Sequence, residues 1–135
     1  MTQITGTNQE FLEILRGLEA IKGVKGKAFG LLVARNIVFL TEHLKPIEKV
    51  AAPTKEFNEV SAIAHQHAEN EDAEALKALE EEHKDLIEER KEQLKKVDEL
   101  LAKTSEVKVN LIREGIIPEE VTAEQLLPLL KILKD

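Results

Sequence analysis

The feature that most constrains this chain is a run of apolar residues that recur every three or four positions between residues 29 and 47. The run comprises Phe29, Leu32, Val33, Ile37, Leu40, Leu44 and Ile47, and it is widened by Val38 and Phe39. This spacing places the side chains on one face of an α-helix. Because the stripe is wide, we expect a helix over about Ala28–Val50 to be the central, most buried element. Pro46 is expected to bend this helix or end it early.

Capping-box spacings predict where the first and last helices begin. Thr7-x-x-Glu10 opens a first helix with an apolar stripe from Phe11 to Leu18, and Thr122-x-x-Gln125 opens a short terminal helix. In each case a hydroxyl and a carboxyl or amide side chain can satisfy backbone N–H groups that the first turn leaves free. Pro128 follows six residues after Thr122, so we expect the terminal helix to be kinked or to start later.

A long charged helix is predicted from an N-cap at Asn70 to about Lys103, preceded by a helix over Thr54–Ala68. Its apolar stripe is narrow and is interrupted by His83 and Arg90. The stripe consists of Leu76, Leu79, Ile87, Leu94, Val97 and Leu101. A narrow stripe is typical of a helix that packs on one or two neighbours, as in a long hairpin or a coiled coil. We therefore expect a homo-oligomer, dimeric or higher.

Residues 107–111 alternate between apolar and polar, which predicts a short strand, and Gln3–Thr5 is its plausible partner. The expected fold class is therefore all-α, with at most one minor two-stranded β element. We expect a long antiparallel helical hairpin with short flanking helices. At 135 residues the chain has the length of one domain, so a single helical domain over residues 1–135 is predicted.

Composition excludes several functions. The chain has no cysteine, tryptophan or tyrosine, so thiol chemistry and zinc–thiolate sites are ruled out and aromatic stacking platforms are scarce. No nucleophile-elbow or dinucleotide-binding motif is present, and we expect neither an enzyme nor a cofactor. At a net charge of −7, unaided binding to duplex nucleic acid is disfavoured. The absence of a signal sequence or an apolar span predicts a soluble intracellular protein without membrane contact.

Charge is distributed unevenly, with a balance of +3 over residues 1–55 and −10 over residues 56–135. Lys25 and Lys27 precede the central helix, where free N–H groups and the helix dipole favour an anion, and Arg35 and Asn36 follow two turns later. These four residues are the predicted binding site for a small anionic ligand. The alternative is that they are ordinary solubilising charges around a turn.

Polar residues within the apolar stripes are candidate interface residues. Asn36 and His43 lie one heptad apart, where they could fix the register of a dimer or line a cavity, although a partly exposed stripe edge is the expected alternative. His83 and Arg90 are predicted as interface residues of the long helix. His65 and His67 lack the i, i+4 pairing of zinc-binding helices, so we expect a solvated helix end and no metal site there.

Several short segments together resemble a family of small phage-encoded helical proteins of unknown function, best represented in phages of Gram-positive bacteria. The segments are Ile4-Thr5-Gly6, Val24–Phe29, Leu32–Asn36, Val107–Val109, Ile117-Pro118 and Val121–Leu127. Residues 54–82 are longer and more acidic than the family pattern. The resemblance implies a phage origin and expression inside a bacterial host, and it supplies no catalytic or binding residues.

Two classes of function are consistent with these observations. The first is a non-enzymatic binding protein in the host cytoplasm, for example a counter-defence factor that sequesters an anionic nucleotide-derived immune signal at the basic segment. The alternative is a virion or assembly accessory, or an inhibitor of a host protein, that acts through helix-mediated protein contacts. The alternative requires exposed helix faces rather than a basic pocket.

Overall fold

The computed structural model describes all residues, 1–135, and is mainly helical, as predicted. The regular elements are, in chain order, β1 (Thr2–Thr7), α1 (Asn8–Ile21), α2 (Lys27–Ala51), α3 (Lys55–Glu69), α4 (Ala73–Glu82), α5 (Lys84–Ala102), β2 (Thr104–Val109), β3 (Ile112–Arg113), α6 (Ala123–Leu126) and β4 (Leu133–Lys134). Short 3₁₀ segments cover Glu114–Ile116 and Leu127–Ile132. There are two small two-stranded sheets, one more than expected.

The chain divides into two compact bodies. The core body contains Met1–Pro46 and Leu100–Asp135, and the hairpin body contains Ile47–Glu99. The expectation of a single domain over residues 1–135 therefore stays a prediction. None of the six helices combines the length and the apolarity needed to cross a membrane.

All fifteen buried apolar side chains belong to the core body. They are Phe11, Ile14, Leu15, Leu18, Ile21, Phe29, Val33, Leu40, Leu44, Val107, Val109, Ile112, Val121, Leu129 and Ile132. Helix α1 contributes one face of a 3.6-residue repeat and packs on the C-terminal 3₁₀ segment. A Cβ atom at Gly17 would lie 2.9 Å from Cγ of Pro128, so only glycine permits this close approach.

The predicted strand pair is confirmed. Strands β1 and β2 are antiparallel, and Ile4 lies opposite Val107. The capping box at Thr7 forms as expected and starts α1 where β1 ends. The second sheet joins β3 and β4 in parallel, with Ile112 opposite Leu133. Each of these strands has only two residues, which is too short for an alternating pattern to be visible in the sequence.

Helix α2 spans 25 residues and continues through Pro46, so of the two effects expected of this proline, a bend or an early end, the early end is wrong. Pro46 is exposed, so water can satisfy the carbonyl that the proline leaves without a donor. The helix ends at Ala51, one residue beyond the predicted end at Val50. Val38 was predicted to widen the buried stripe, but its side chain is 58% exposed because it lies on the opposite side of the helix from the core.

Two predictions for the hairpin body are corrected. Asn70 is the C-cap of α3 rather than an N-cap, because its N–H continues the helix by donating to the carbonyl oxygen of Gln66. The chain then turns through Glu71, whose φ is 54°, and Asp72 caps α4. The predicted long helix is divided at His83, although backbone hydrogen bonds continue on both sides of that residue.

No side chain of α3, α4 or α5 is buried. Most of their half-buried residues instead follow a heptad spacing, which is the pattern of a two-helix seam. The residues in this spacing are Phe57, Val60, Ala64 and His67 on α3, and Leu76, Leu79, His83, Leu86, Arg90, Gln93 and Val97 from α4 to α5, while Ala75 and Ile87 are half-buried outside it. Leu94, predicted to lie in this stripe, is 45% exposed because Gln93 occupies the seam position.

The C-terminal capping box at Thr122 is confirmed, and it opens the four-residue α6. The chain changes from α-helical to 3₁₀ geometry at Leu127, immediately before Pro128. This is the interruption that Pro128 predicted, since proline cannot donate the hydrogen bond that would continue the helix. The 3₁₀ segment then places Leu129 and Ile132 in the core while Leu127 and Leu130 remain exposed.

Candidate functional site

The basic segment at the start of α2 keeps its lysines in solvent. Lys25 and Lys27 are both exposed and flank Gly26, whose φ of +136° is a conformation that glycine tolerates best. No side-chain hydrogen bond caps α2, whereas Thr7, Thr54, Asp72 and Thr122 cap α1, α3, α4 and α6. The first N–H groups of α2 are therefore free of side-chain partners.

Arg35 and Asn36 do not lie together with Lys25 and Lys27 in one binding site. Arg35 is exposed and lies about 12 Å beyond Lys27 along the helix axis. Asn36 is fully buried, so its proposed contact with a surface ligand is wrong. Adjacent helical residues point about 100° apart, which is why one faces solvent and the other faces the core. Lys25, Lys27 and Arg35 form no ion pairs, since the chain contains only Lys91–Glu88 and Lys131–Glu10.

Asn36 instead completes the hydrogen bonding of an irregular backbone segment. Its Nδ2 donates to the carbonyl oxygen of Asn110 at 2.8 Å, and its Oδ1 accepts from the Asn110 N–H at 2.7 Å. Asn110 lies between β2 and β3, where no strand partner is available. The carboxamide of Asn36 therefore replaces a missing pair of backbone hydrogen bonds. The prediction that this residue lies at a dimer seam or at an exposed stripe edge is wrong.

His43 belongs to a half-buried polar network within the core body. Its Nε2 lies 2.9 Å from Oγ of Ser105 and 3.2 Å from Oδ1 of Asn8. Its ring meets the ring of Phe11 edge to face, with the centroids 5.4 Å apart. His43 therefore makes intrachain contacts, and none of them depends on a second chain. Sequence reasoning missed Asn8 and Ser105, because neither lies in an apolar stripe.

The donors in this network can be assigned. Asn8 Nδ2 donates to the carbonyl oxygen of Leu100 at 2.9 Å, so Oδ1 of Asn8 faces the other two side chains. That oxygen can only accept, and it accepts a hydrogen bond from the hydroxyl of Ser105 at 2.6 Å. The tautomer consistent with this arrangement carries its proton on Nε2, which then donates to Ser105 Oγ. The imidazole is thus not placed to remove the hydroxyl proton, and the network does not form a nucleophile–base pair.

Arg90 and Gln93 stabilise the end of α2 within the hairpin body. Arg90 Nη1 donates to the carbonyl oxygen of Ala51 at 2.8 Å and to Oε1 of Gln93 at 2.8 Å. Gln93 Nε2 donates to the carbonyl oxygen of Ala52 at 2.8 Å. The guanidinium also lies 5.6 Å from the centroid of the Phe57 ring. Arg90 is therefore an interface residue between helices of one chain, because the last carbonyls of α2 need donors.

His83 is half-buried and forms the C-cap of α4, with its N–H donating to the carbonyl oxygen of Leu79. It is the residue between α4 and α5 in the chain and belongs to the heptad row that runs along both helices. The predicted role of His83 at an interface between chains stays a prediction.

The surface of the hairpin body is strongly acidic. Residues 47–99 contain sixteen Asp and Glu against eight Lys and Arg, a balance of −8, whereas the rest of the chain has a balance of +1. Within this body the only ion pair is Lys91–Glu88, at 3.6 Å and exposed on both sides. Most of its acidic side chains therefore face solvent without a partner of opposite charge.

Four clefts on the surface are open to solvent and have charged side chains in their lining. One of about 480 Å³ lies in the hairpin body between Thr54 and α5, and Glu89, Gln93 and Lys96 are among its lining residues. Ligand pockets are usually lined mainly by apolar side chains, which this cleft lacks. Smaller clefts lie at the α3–α4 turn, along α5 and beside the C-terminal 3₁₀ segment, and neither Lys25 nor Arg35 lines any of them.

The outer face of α2 carries apolar side chains that face solvent. Leu31 is 49% exposed and Val38 is 58% exposed, and Ala34 lies exposed between them. This face is opposite the buried face that contains Val33, Asn36 and Leu40. The apolar stripe in the sequence predicted Val38 to lie in the core and did not include Leu31. Their spacing of seven residues, offset from the main stripe, was the signal available.

The structure assembles no group of three His, Cys, Asp or Glu side chains that could hold a metal ion. No protein-family model, no curated protein and no solved structure matches this chain.

Proposed function

We propose that this chain is a non-enzymatic binding protein that contacts a basic surface of another protein through its hairpin body. With the phage origin that the sequence resemblance implies, the partner is a phage or host protein. The chain then acts as an assembly accessory or as an inhibitor. The observation that carries this proposal is the charge of residues 47–99, whose sixteen acidic side chains form only one ion pair.

The physical argument is that unpaired surface charge acts over distance. A body with a balance of −8 produces a potential that attracts a cationic surface and accelerates encounter. The hairpin body also uses none of its side chains in a fully buried core, so its helices present most of their surface to solvent. Exposed Ile63 and Leu94 supply apolar contacts beside the charges. These features favour a role of the hairpin body in binding another protein over a role in catalysis.

The test is an affinity purification from a Gram-positive bacterium that uses three baits. The first is the wild-type chain, and the second carries Glu74→Lys, Glu81→Lys and Glu88→Lys on the outer face of α4 and α5. The third is a control with the same charge change in the core body, at Glu106, Glu119 and Glu120. We expect one specific partner to be retained by the wild type and by the control and to be lost from the hairpin variant. Equal capture by all three baits contradicts the proposal.

A second candidate function is sequestration of an anionic nucleotide-derived signal at the start of α2. It is favoured by one observation, namely that Lys25 and Lys27 lie unpaired at the start of α2, which has no side-chain cap. A thermal-shift screen with linear and cyclic nucleotides tests it. We expect stabilisation that is lost in K25A/K27A and kept in the control K103A/K108A. No stabilisation at saturating nucleotide, or stabilisation that survives K25A/K27A, contradicts this candidate.

A further inference from the structure

Helix α2 has two apolar faces, and only one of them is covered. Its buried face contributes Phe29, Val33, Leu40 and Leu44 to the core. On the outer face, residues 31, 34, 38, 41 and 45 follow the three- and four-residue steps of a coiled-coil seam, and all are exposed. The first three are Leu31, Ala34 and Val38. The other two are Thr41 and Lys45. Isolated exposed apolar residues are ordinary, but three of them at these steps on the longest helix have the spacing of a helix-pairing surface.

The charges beside this row complement each other. Arg35 and Glu42 are exposed, lie on the same flank of the row one heptad apart, and form no ion pair within the chain. Seven residues correspond to about 10.5 Å along the helix axis. A two-fold axis placed midway between them passes close to Val38. Such an axis brings each Arg35 beside the Glu42 of a second, antiparallel copy.

We propose that the outer face of α2 is the interface of a homodimer in which the two α2 helices run antiparallel. The occupant is a second copy because the same face carries both Arg35 and Glu42, which are complementary in charge. An isologous two-fold interface requires such self-complementarity. Val38 packs on its counterpart near the axis, and Leu31 packs on the methylene chain of the partner's Lys45. Ala34 is small, so it lets the helices approach closely. A parallel arrangement places Arg35 beside Gly30 and Ile37 of the second copy and offers no opposite charge.

The proposed interface is modest in size. The row from Leu31 to Lys45 is about 21 Å long. A contact along so short a row buries less surface area than the interface of an obligate dimer. We therefore expect a dimer that dissociates on dilution. This inference concerns the core body and does not rest on the proposed role of the hairpin body.

The first test is sedimentation velocity of the full chain between about 1 and 200 µM, a range that spans weak and moderate dimer affinities. We expect the mass to rise from monomer to dimer across this range. Val38→Ser should abolish the rise without changing the thermal unfolding of the monomer, because the side chain is 58% exposed. A chain that stays monomeric at the highest concentration overturns the proposal, as does a dimer that Val38→Ser leaves unchanged.

The second test is a charge swap that distinguishes this geometry from any other dimer. Arg35→Glu and Glu42→Arg each turn two attractive contacts into two repulsive ones, so each should raise the dimer dissociation constant about tenfold at low salt. The double variant R35E/E42R restores both pairs and should return close to the wild-type value. Arg16→Glu, an exposed charge reversal on α1, should have little effect. A double variant as weak as the single variants overturns the antiparallel arrangement.

Discussion

At the scale of single residues, the most informative side chains are those that satisfy backbone groups the secondary structure leaves unpaired. Asn36 bonds to both polar backbone atoms of Asn110, and Arg90 donates to the carbonyl oxygen of Ala51 at the end of α2. Both residues stand out in the sequence as polar interruptions of apolar stripes. Their partners are 74 and 39 residues away, so the sequence could mark these residues as unusual without saying what they bind.

Replacement of Asn36 by alanine should lower the free energy of unfolding by about 2–4 kcal/mol. The reason is that the N–H and C=O of Asn110 lose their partners while they remain inside the protein. Urea denaturation followed by circular dichroism measures the change. The isosteric variant Asn36→Asp provides a sharper comparison, because at neutral pH its carboxylate faces the carbonyl oxygen of Asn110. A destabilisation below about 0.5 kcal/mol in both variants would show that the two hydrogen bonds contribute little.

The contact of Glu10 with Lys131 predicts a pH dependence of stability. Its hydrogen bond to Lys131, together with the one from the Thr7 N–H, holds the pKa of Glu10 below its ordinary value of 4.5. A group whose pKa is lowered on folding contributes stability above its unfolded pKa and loses it as the pH falls through the folded value. The thermal unfolding temperature of wild type should therefore exceed that of Glu10→Gln at pH 7. This difference should shrink below about pH 4.

The control for this experiment is Glu19→Gln, an exposed glutamate on the same helix that forms no ion pair. Glutamine at position 10 can still accept the Thr7 N–H in the capping box, so the comparison isolates the charge. A difference between wild type and Glu10→Gln that is independent of pH would contradict the ionic explanation.

At the scale of elements, the helix starts marked by a capping box were predicted correctly, whereas the turn between α3 and α4 was not. Thr7 and Thr122 cap helices as their spacing predicts, because a capping box is a local interaction between residues three apart. Asn70 was assigned to the wrong helix end, since asparagine suits both a C-cap and an N-cap and nothing local distinguishes the two. Pro46 was expected to bend α2 or end it early, and it does not end it, because a single lost hydrogen bond on an exposed face did not outweigh the packing of the helix.

Arg90 should contribute measurably to the stability of the hairpin body. Its removal in Arg90→Ala leaves the carbonyl of Ala51 without its donor and the Phe57 ring without a cation. We expect the free energy of opening of the α5 amides, measured by hydrogen exchange, to fall by about 1–3 kcal/mol. Lysine at position 90 should restore only part of it, because an ammonium cannot reproduce the planar fork of the guanidinium.

The matched control is Lys91→Ala, which removes a neighbouring charge whose only partner is the exposed Glu88. We expect almost no change, in line with the small contribution of surface ion pairs. Equal loss of protection in the Arg90 and Lys91 variants would mean that net charge, rather than the contacts of Arg90, stabilises this body.

At the scale of the whole molecule, the two bodies differ in how they are held together. The core body holds all fifteen buried apolar side chains, while α3, α4 and α5 hold none. Burial of apolar surface is the main favourable term in folding, so the hairpin body has the smaller share of it. Its helices pack along a row of half-buried residues at heptad spacing and bury no side chain completely.

This difference predicts unequal local stability. Helices α1 and α3 have similar lengths, 14 and 15 residues, but α1 has five buried side chains and α3 has none. Native-state hydrogen exchange should therefore show protection factors at least about tenfold lower in α3 than in α1. Equal protection in the two helices would mean that the seam of the hairpin body is as stabilising as the core.

The sequence by itself determined the elements whose physics is local. The helical class, the capping boxes and the strand at residues 107–109 follow from periodicity, from side chains three residues apart and from alternation. The pairing of that strand with β1 was predicted only because Gln3–Thr5 was its one plausible partner. Only the tertiary structure decided what each polar residue contacts. It placed Asn36 inside the core, gave His43 an Asn8–Ser105 network, and left Leu31 and Val38 in solvent. Apolar periodicity shows that a helix has a face to bury, but only the packed partners decide which face is covered.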